Sequence, residues 1–219
     1  SGRSERKMDY TCVLTLNKIK AYLAGAAVVG FDFETSPLDE YRDEDRAALD
    51  AHKAAITGVS LSVSQGSGIY IPLRHRIGKN IPKPEAVMAY LKTALFENPA
   101  VVKVAHNLAF EAMFLYALDT VVQPPCYDTI AAAQLTLKSN TVFRGLSDSG
   151  LKTLVPQLFH VEQKAVGAVK NRISYGTDGG SHVRVRQGAD QKWPLSKGEY
   201  VSFHTHCHSF LFILSVHVG

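Results

Sequence analysis

The run VVGFDFETSPLDE, from Val28 to Glu40, decides how the chain is read. Its first residues are β-branched, small or aromatic and apolar, which suits a strand inside a sheet. Into that strand it sets two acids, Asp32 and Glu34, two positions apart. Positions i and i+2 of a strand face the same side, so both carboxylates point toward one spot. Like charges side by side are unfavourable unless a cation or strong hydrogen bonds offset them. Hard cations such as Mg2+ and Mn2+ prefer carboxylate oxygens. The competing reading is a half-exposed strand with both acids in water. A bare D-x-E pattern is common and becomes specific only with further elements.

Working outward, Leu14 to Leu23 has helical spacing, with Leu14, Ile19 and Leu23 apolar between lysines. After the strand comes a polar, acid-rich connection from Ser36 to Lys53. AITGVSLSV (Ala55–Val63) and GIYIPL (Gly68–Leu73) then read as strands, joined by SQGS as a hairpin. A loop rich in Arg, Lys, Gly and Pro leads to a helix over Pro84–Phe96. PAVVKVA (Pro99–Ala105) reads as a buried strand and HNLAFEAMFLYAL (His106–Leu118) as a helix. In CYDTIAAAQLTL (Cys126–Leu137), Asp128 is placed to cap another helix, and Ser147–Phe159 suggests one more, stopped near Pro156. Strands first, then strand and helix in alternation, predict an α/β fold with a mixed sheet and helices packed on it.

The bulk numbers are permissive. A chain of 219 residues, 46% hydrophobic and 20% charged, can build one sizeable core. The net charge of +4 is compatible with a polyanionic partner but does not require one. Cys12, Cys126 and Cys207 are far apart and lack C-x-x-C spacing, which argues against a disulfide framework or a cysteine-based zinc site. The start is polar, and FLFILSVHV (Phe210–Val218) is about half the length of a membrane span. The expectation is a soluble, cytoplasmic protein with no membrane partner.

From about Lys164 the periodicity fades. Seven Lys and Arg face three acids there, and five of nine histidines fall after residue 180. This shift puts a boundary near residue 163. The expected division is a disordered N-terminus (1–9), a domain (10–163) and an atypical tail (164–219).

The second chemical element is VAHNLAFEAMFL. Asn107 and Glu111 are four apart, so a helix brings them near one face, at the end of an apolar strand where α/β sites are often built. The alternative for this pair alone is a cap and a solvated acid.

In this order, FDFETSPL, AAITGVSLSVSQGSGIYIPL, HNLAFE, CYDTIAAAQL and GLSDSGLKTLVPQLF resemble the DEDD group of 3′–5′ exonucleases, over about residues 10–162. The likeness is strongest to proofreading domains of family A DNA polymerases, phage-type ones in particular. It implies a ribonuclease H-like fold, with three early antiparallel strands and then strand and helix alternating. It implies hydrolysis of phosphodiester bonds at DNA 3′ ends, single-stranded by expectation, and a polymerase domain encoded downstream. By that resemblance Asp32, Glu34 and Glu111 are the catalytic, metal-binding acids for Mg2+ or Mn2+, two ions in the family. Thr35, Leu38 and Asn107 match substrate-binding positions, and Asp128 a supporting acid. Arg74, His75, Arg76 and Lys79 form a basic loop that either touches phosphates or is a solvated surface.

The sequence departs from the family twice. Glu111 stands where the family has Asp, which puts the second metal site in doubt. The third motif, Y-x-x-x-D or H-x-x-x-x-D on a late helix, is missing: YGTD (Tyr175–Asp178) is one residue short, and His182 is too far from Asp190. A tail read out of frame, or one from a degraded gene, would account for both the composition shift and this loss. The alternative function is therefore an impaired remnant that keeps the fold and weak nucleic-acid binding. A third possibility is a zinc module on His204, His206 and His208, which would share one face of a strand.

Overall fold

The computed structural model describes residues 9–139 except 77, together with 172–174 and 183–185. The first stretch forms six strands and four helices. They are β1 (Asp9–Cys12), α1 (Leu16–Leu23), β2 (Val28–Pro37), β3 (Ala54–Ser62), β4 (Ser67–Pro72), α2 (Pro84–Leu91), β5 (Val102–Ala105), α3 (Leu108–Tyr116), β6 (Cys126–Asp128) and α4 (Thr129–Ser139). They build one mixed sheet in the order β1-β4-β3-β2-β5-β6. β2, β3 and β4 are antiparallel neighbours. β5 and β6 run parallel to β2, and β1 runs parallel to β4. This is the α/β mixed sheet that the sequence predicts. Two short strands further on, β7 (Arg172–Ser174) and β8 (Val183–Val185), pair antiparallel with each other, in a region the sequence leaves without a strand pattern.

The opposite faces of β2 do different jobs. Phe31 and Phe33, one residue out of phase with the acids, are buried. Their rings lie 5.2 and 5.8 Å from that of Phe96. Edge contacts of this kind add about 0.5–1.5 kcal/mol each beyond area burial. Phe96 gets there because α2, opened by Pro84 at its first turn, ends in a π turn over Lys92–Phe96. The Glu97 amide donates back to the Lys92 carbonyl at 2.8 Å. Leu95 and Phe96 are both buried as a result.

β1 was not expected. It begins at Asp9, is four residues long, and is too short to show a period. β6 is also short, three residues where the sequence shows only the approach to a helix. Lys103 in β5 is fully buried, and its Nζ donates to the Asn98 carbonyl at 2.6 Å. Burial holds its pKa below the usual lysine value.

Gly58 marks the tightest point of the sheet. A Cβ there would lie 1.9 Å from the Tyr70 hydroxyl oxygen. Tyr70 is 2% exposed and its hydroxyl bonds His75 Nε2, so the ring has little room to retreat. Gly58→Ala is expected to destabilise the fold by about 1–3 kcal/mol, the cost of overpacking, read as a lower urea midpoint at unchanged slope. Among the described residues no helix is long and apolar enough to cross a membrane.

Candidate active site

β2, β5 and β6 are parallel, so their C-terminal ends lie at one edge of the sheet. Glu34 is paired with Gly58, and the ladder then skips a residue: Thr35 faces Ile56. The residue left between them, Thr57, is a β-bulge on β3. Its hydroxyl donates to the Glu34 carbonyl at 3.1 Å. Its own carbonyl accepts the Leu73 and Arg74 amides at 2.8 and 3.0 Å. The backbone beneath Glu34 is therefore held from both sides. Nothing in the alternating pattern of β3 announces this bulge.

Asp32 and Glu34 are half-buried. α3 carries Glu111 toward them. That helix is apolar on almost every side in sequence, and it buries Phe114, Leu115 and also Glu111, which is 2% exposed. Burial pushes the Glu111 carboxyl well above the usual carboxylate range, and the charges of Asp32 and then Glu34 push it further. A hydrogen bond from the Phe33 backbone amide opposes the shift. Glu111 Oε2 is buried with no hydrogen-bond partner. The structure thus brings the three acids into one electrostatic unit.

Three carboxylates and an orphaned buried oxygen are the donor chemistry a hard cation takes. Among the described residues, however, no three His, Cys, Asp or Glu side chains stand as a group ready to hold a metal ion.

The expected substrate positions divide. Leu38 is exposed at 39%. Its amide is tied to the Lys53 carbonyl at 2.8 Å, which closes the acid-rich connection into a compact loop. The Thr35 hydroxyl donates to the Ala48 carbonyl of that loop at 2.7 Å, so it fastens the loop to β2. Asn107 is exposed and precedes α3 in the left-handed region, φ 75°, where Asn is among the few residues tolerated. Its side chain makes no capping hydrogen bond.

Asp128 supplies the caps instead. Its carboxylate accepts the Asn107 amide at 3.0 Å and the Leu108 amide at 2.9 Å. It also accepts the Ile130 amide at 3.0 Å, so it caps its own helix α4 as expected and α3 as well. The next residue, Thr129, is 2% exposed; its hydroxyl donates to the Ala105 carbonyl at 3.3 Å and lies 2.9 Å from His106 Nδ1. Sequence reasoning missed His106 and Thr129. The signal was the polar pair Asp128-Thr129 between a strand and a helix.

In the basic loop, Arg74 pairs with Glu85 at 2.9 Å and Arg76 with Asp39 at 2.8 Å. The Asn80 side chain grips both the amide and the carbonyl of His75. Two of its four cationic positions thus face acids, which favours the structural reading of this loop. The helix expected over Ser147–Phe159, the YGTD stretch and the tail histidines lie outside the described residues.

The sequence model of a family described as 3′–5′ exonuclease matches residues 10–174. DNA polymerase I of Pseudomonas aeruginosa is 27% identical over 73% of this chain, which spans only 19% of that polymerase's length. Among solved structures, RNase D of Trypanosoma brucei aligns with a TM-score of 0.64 at 14% identity, covering 97% of this chain and 66% of that one. NrnC of Brucella melitensis aligns at 0.54 with 17% identity, covering 96% of this chain and 79% of its own. At these identities the two structures share the ribonuclease H-like fold with this chain.

Proposed function

Since this chain belongs to the 3′–5′ exonuclease domain family of family A DNA polymerases, we propose that it hydrolyses the terminal phosphodiester bond at DNA 3′ ends, using divalent cations held by Asp32, Glu34 and Glu111. The observation that supports the reading is the buried Glu111 carboxyl with its orphaned oxygen, near enough to Asp32 and Glu34 to feel their charges. Buried acids are paired, protonated or bound to a cation, and here the close neighbours are two more acids.

Mg2+ or Mn2+, when bound, supplies an activated water and stabilises the leaving 3′ oxygen. NrnC has been solved with Mg2+ and bound to pGG, which supports the choice of ion and of substrate class. Around the acids, Leu38 offers an apolar surface for the terminal base, and Asn107 a polar side chain not used in capping. Thr35 acts by fixing the loop that carries Leu38, since its hydroxyl is committed to Ala48. A single-stranded 3′ end is the proposed substrate form. A proofreading role beside a polymerase domain is part of the proposal, and the family likeness supports it.

A second reading is an impaired remnant that keeps the fold and weak nucleic-acid binding. It is favoured by the lack of a metal-ready group of three among the described residues, and by the missing third motif.

Polarity separates the two. A 5′-labelled single-stranded oligonucleotide with Mn2+ should shorten from its 3′ end in single-nucleotide steps. The same oligonucleotide with phosphorothioate linkages at its 3′ end should resist. An intact oligonucleotide in both cases overturns the enzymatic reading and leaves the remnant.

A further inference from the structure

We propose that Asp128 and Thr129 form a latch that aims Glu111 and leaves the Asn107 side chain available to substrate, with Asp128 as a positioning residue. This rests on the exonuclease reading above. An Asn before a helix ordinarily caps it with its own side chain. Here Asn107 does not, and the amides of Asn107 and Leu108 go to the two oxygens of Asp128, twenty-one and twenty residues away. Glu111 lies in the first turn of the helix so held. Any tilt of that turn moves its carboxyl relative to Asp32 and Glu34. Thr129 pins the same segment from the strand side, through Ala105 and His106. Asp128 and Ala105 are themselves paired at the ends of β6 and β5, so the latch has a fixed base. Its third bond, to Ile130, ties α4 to the same carboxylate. Outer groups that orient a metal ligand are typically worth about 10–100-fold in metal affinity.

The test compares wild type, Asp128→Asn, Thr129→Val and, as a control, Ile71→Val in the distant strand β4. All are studied as the full chain, well below their melting temperatures. Asp128→Asn keeps the shape but puts an amide NH2 against a backbone N–H. It should weaken Mn2+ binding by calorimetry about tenfold or more and lower kcat by at least as much, with KM within about twofold. Amide exchange at Asn107 and Leu108 should speed up. Thr129→Val should show a smaller loss in the same direction, and Ile71→Val none. Wild-type Mn2+ affinity and kcat in Asp128→Asn, despite faster exchange, would make Asp128 a structural cap only and overturn the latch. A wild-type protein that neither binds Mn2+ nor trims a single-stranded 3′ end overturns the exonuclease reading and the latch with it.

Discussion

Asp32→Ala is expected to lower the proposed 3′-end cleavage by about a thousandfold or more while leaving the melting temperature at or slightly above that of wild type. The two halves of this result have separate causes. A cation at a phosphoryl centre contributes several kcal/mol of charge stabilisation, and each 1.36 kcal/mol is tenfold in rate. Losing one of the three carboxylates proposed to hold it should remove much of that term. Stability responds the other way. The Asp32 charge raises the pKa of buried Glu111, so the two repel in the folded chain. Asp32 is half-buried on the acid face of β2, opposite Phe31 and Phe33, so truncation opens no cavity in the aromatic core. Initial rates with Mn2+ and a thermal melt in EDTA read both effects on one preparation. A variant that is inactive because it has unfolded would contradict the account.

Glu111→Gln is expected to abolish cleavage to a similar extent and to stabilise the fold at neutral pH. Glu111 has its carboxyl pKa raised in the folded state above the usual value of 4.5, by burial first and by Asp32 and Glu34 next. Its contribution to stability is therefore fully present below about pH 4.5. It is lost as the pH climbs from there through the raised folded value, because the unfolded chain releases the proton more readily. Gln keeps the shape without an ionisable proton. In EDTA, the melting temperatures of wild type and Glu111→Gln should nearly coincide near pH 4. They should diverge in favour of Gln toward pH 8, by a few degrees for a domain of this size. A constant difference across that range would show that ionisation of Glu111 is not what strains the site.

What the sequence made legible follows from period and adjacency. The two-residue repeat of β2 put Asp32 and Glu34 on one face and Phe31 and Phe33 on the other, and the structure keeps that division. The hairpin of β3 and β4 was readable from SQGS between two apolar runs. Illegible features are those decided by distant partners. Glu111 looks like a surface acid of a helix, yet it is 2% exposed and faces the acids of β2. Lys103 is a charged residue inside a strand that reads as buried, and only the Asn98 carbonyl, which accepts from its Nζ, explains how it stays there. Asp128 could be read as the cap of the helix that follows it, but not of α3. The bulge at Thr57 leaves no mark on composition, though it anchors the backbone of Glu34. Thr35, matched to a substrate position by resemblance, turns its hydroxyl to the Ala48 carbonyl instead. Local rules thus found the acids, and tertiary contacts decide how they are held.

The most direct measurement is metal-dependent digestion by the wild-type chain. A 5′-labelled single-stranded DNA is incubated with Mg2+ or Mn2+, beside a sample in EDTA. A ladder that shortens from the 3′ end is expected with either ion, and an intact strand in EDTA. An intact strand under all three conditions, from protein shown by circular dichroism to be folded, would contradict it and leave a fold that has lost its reaction.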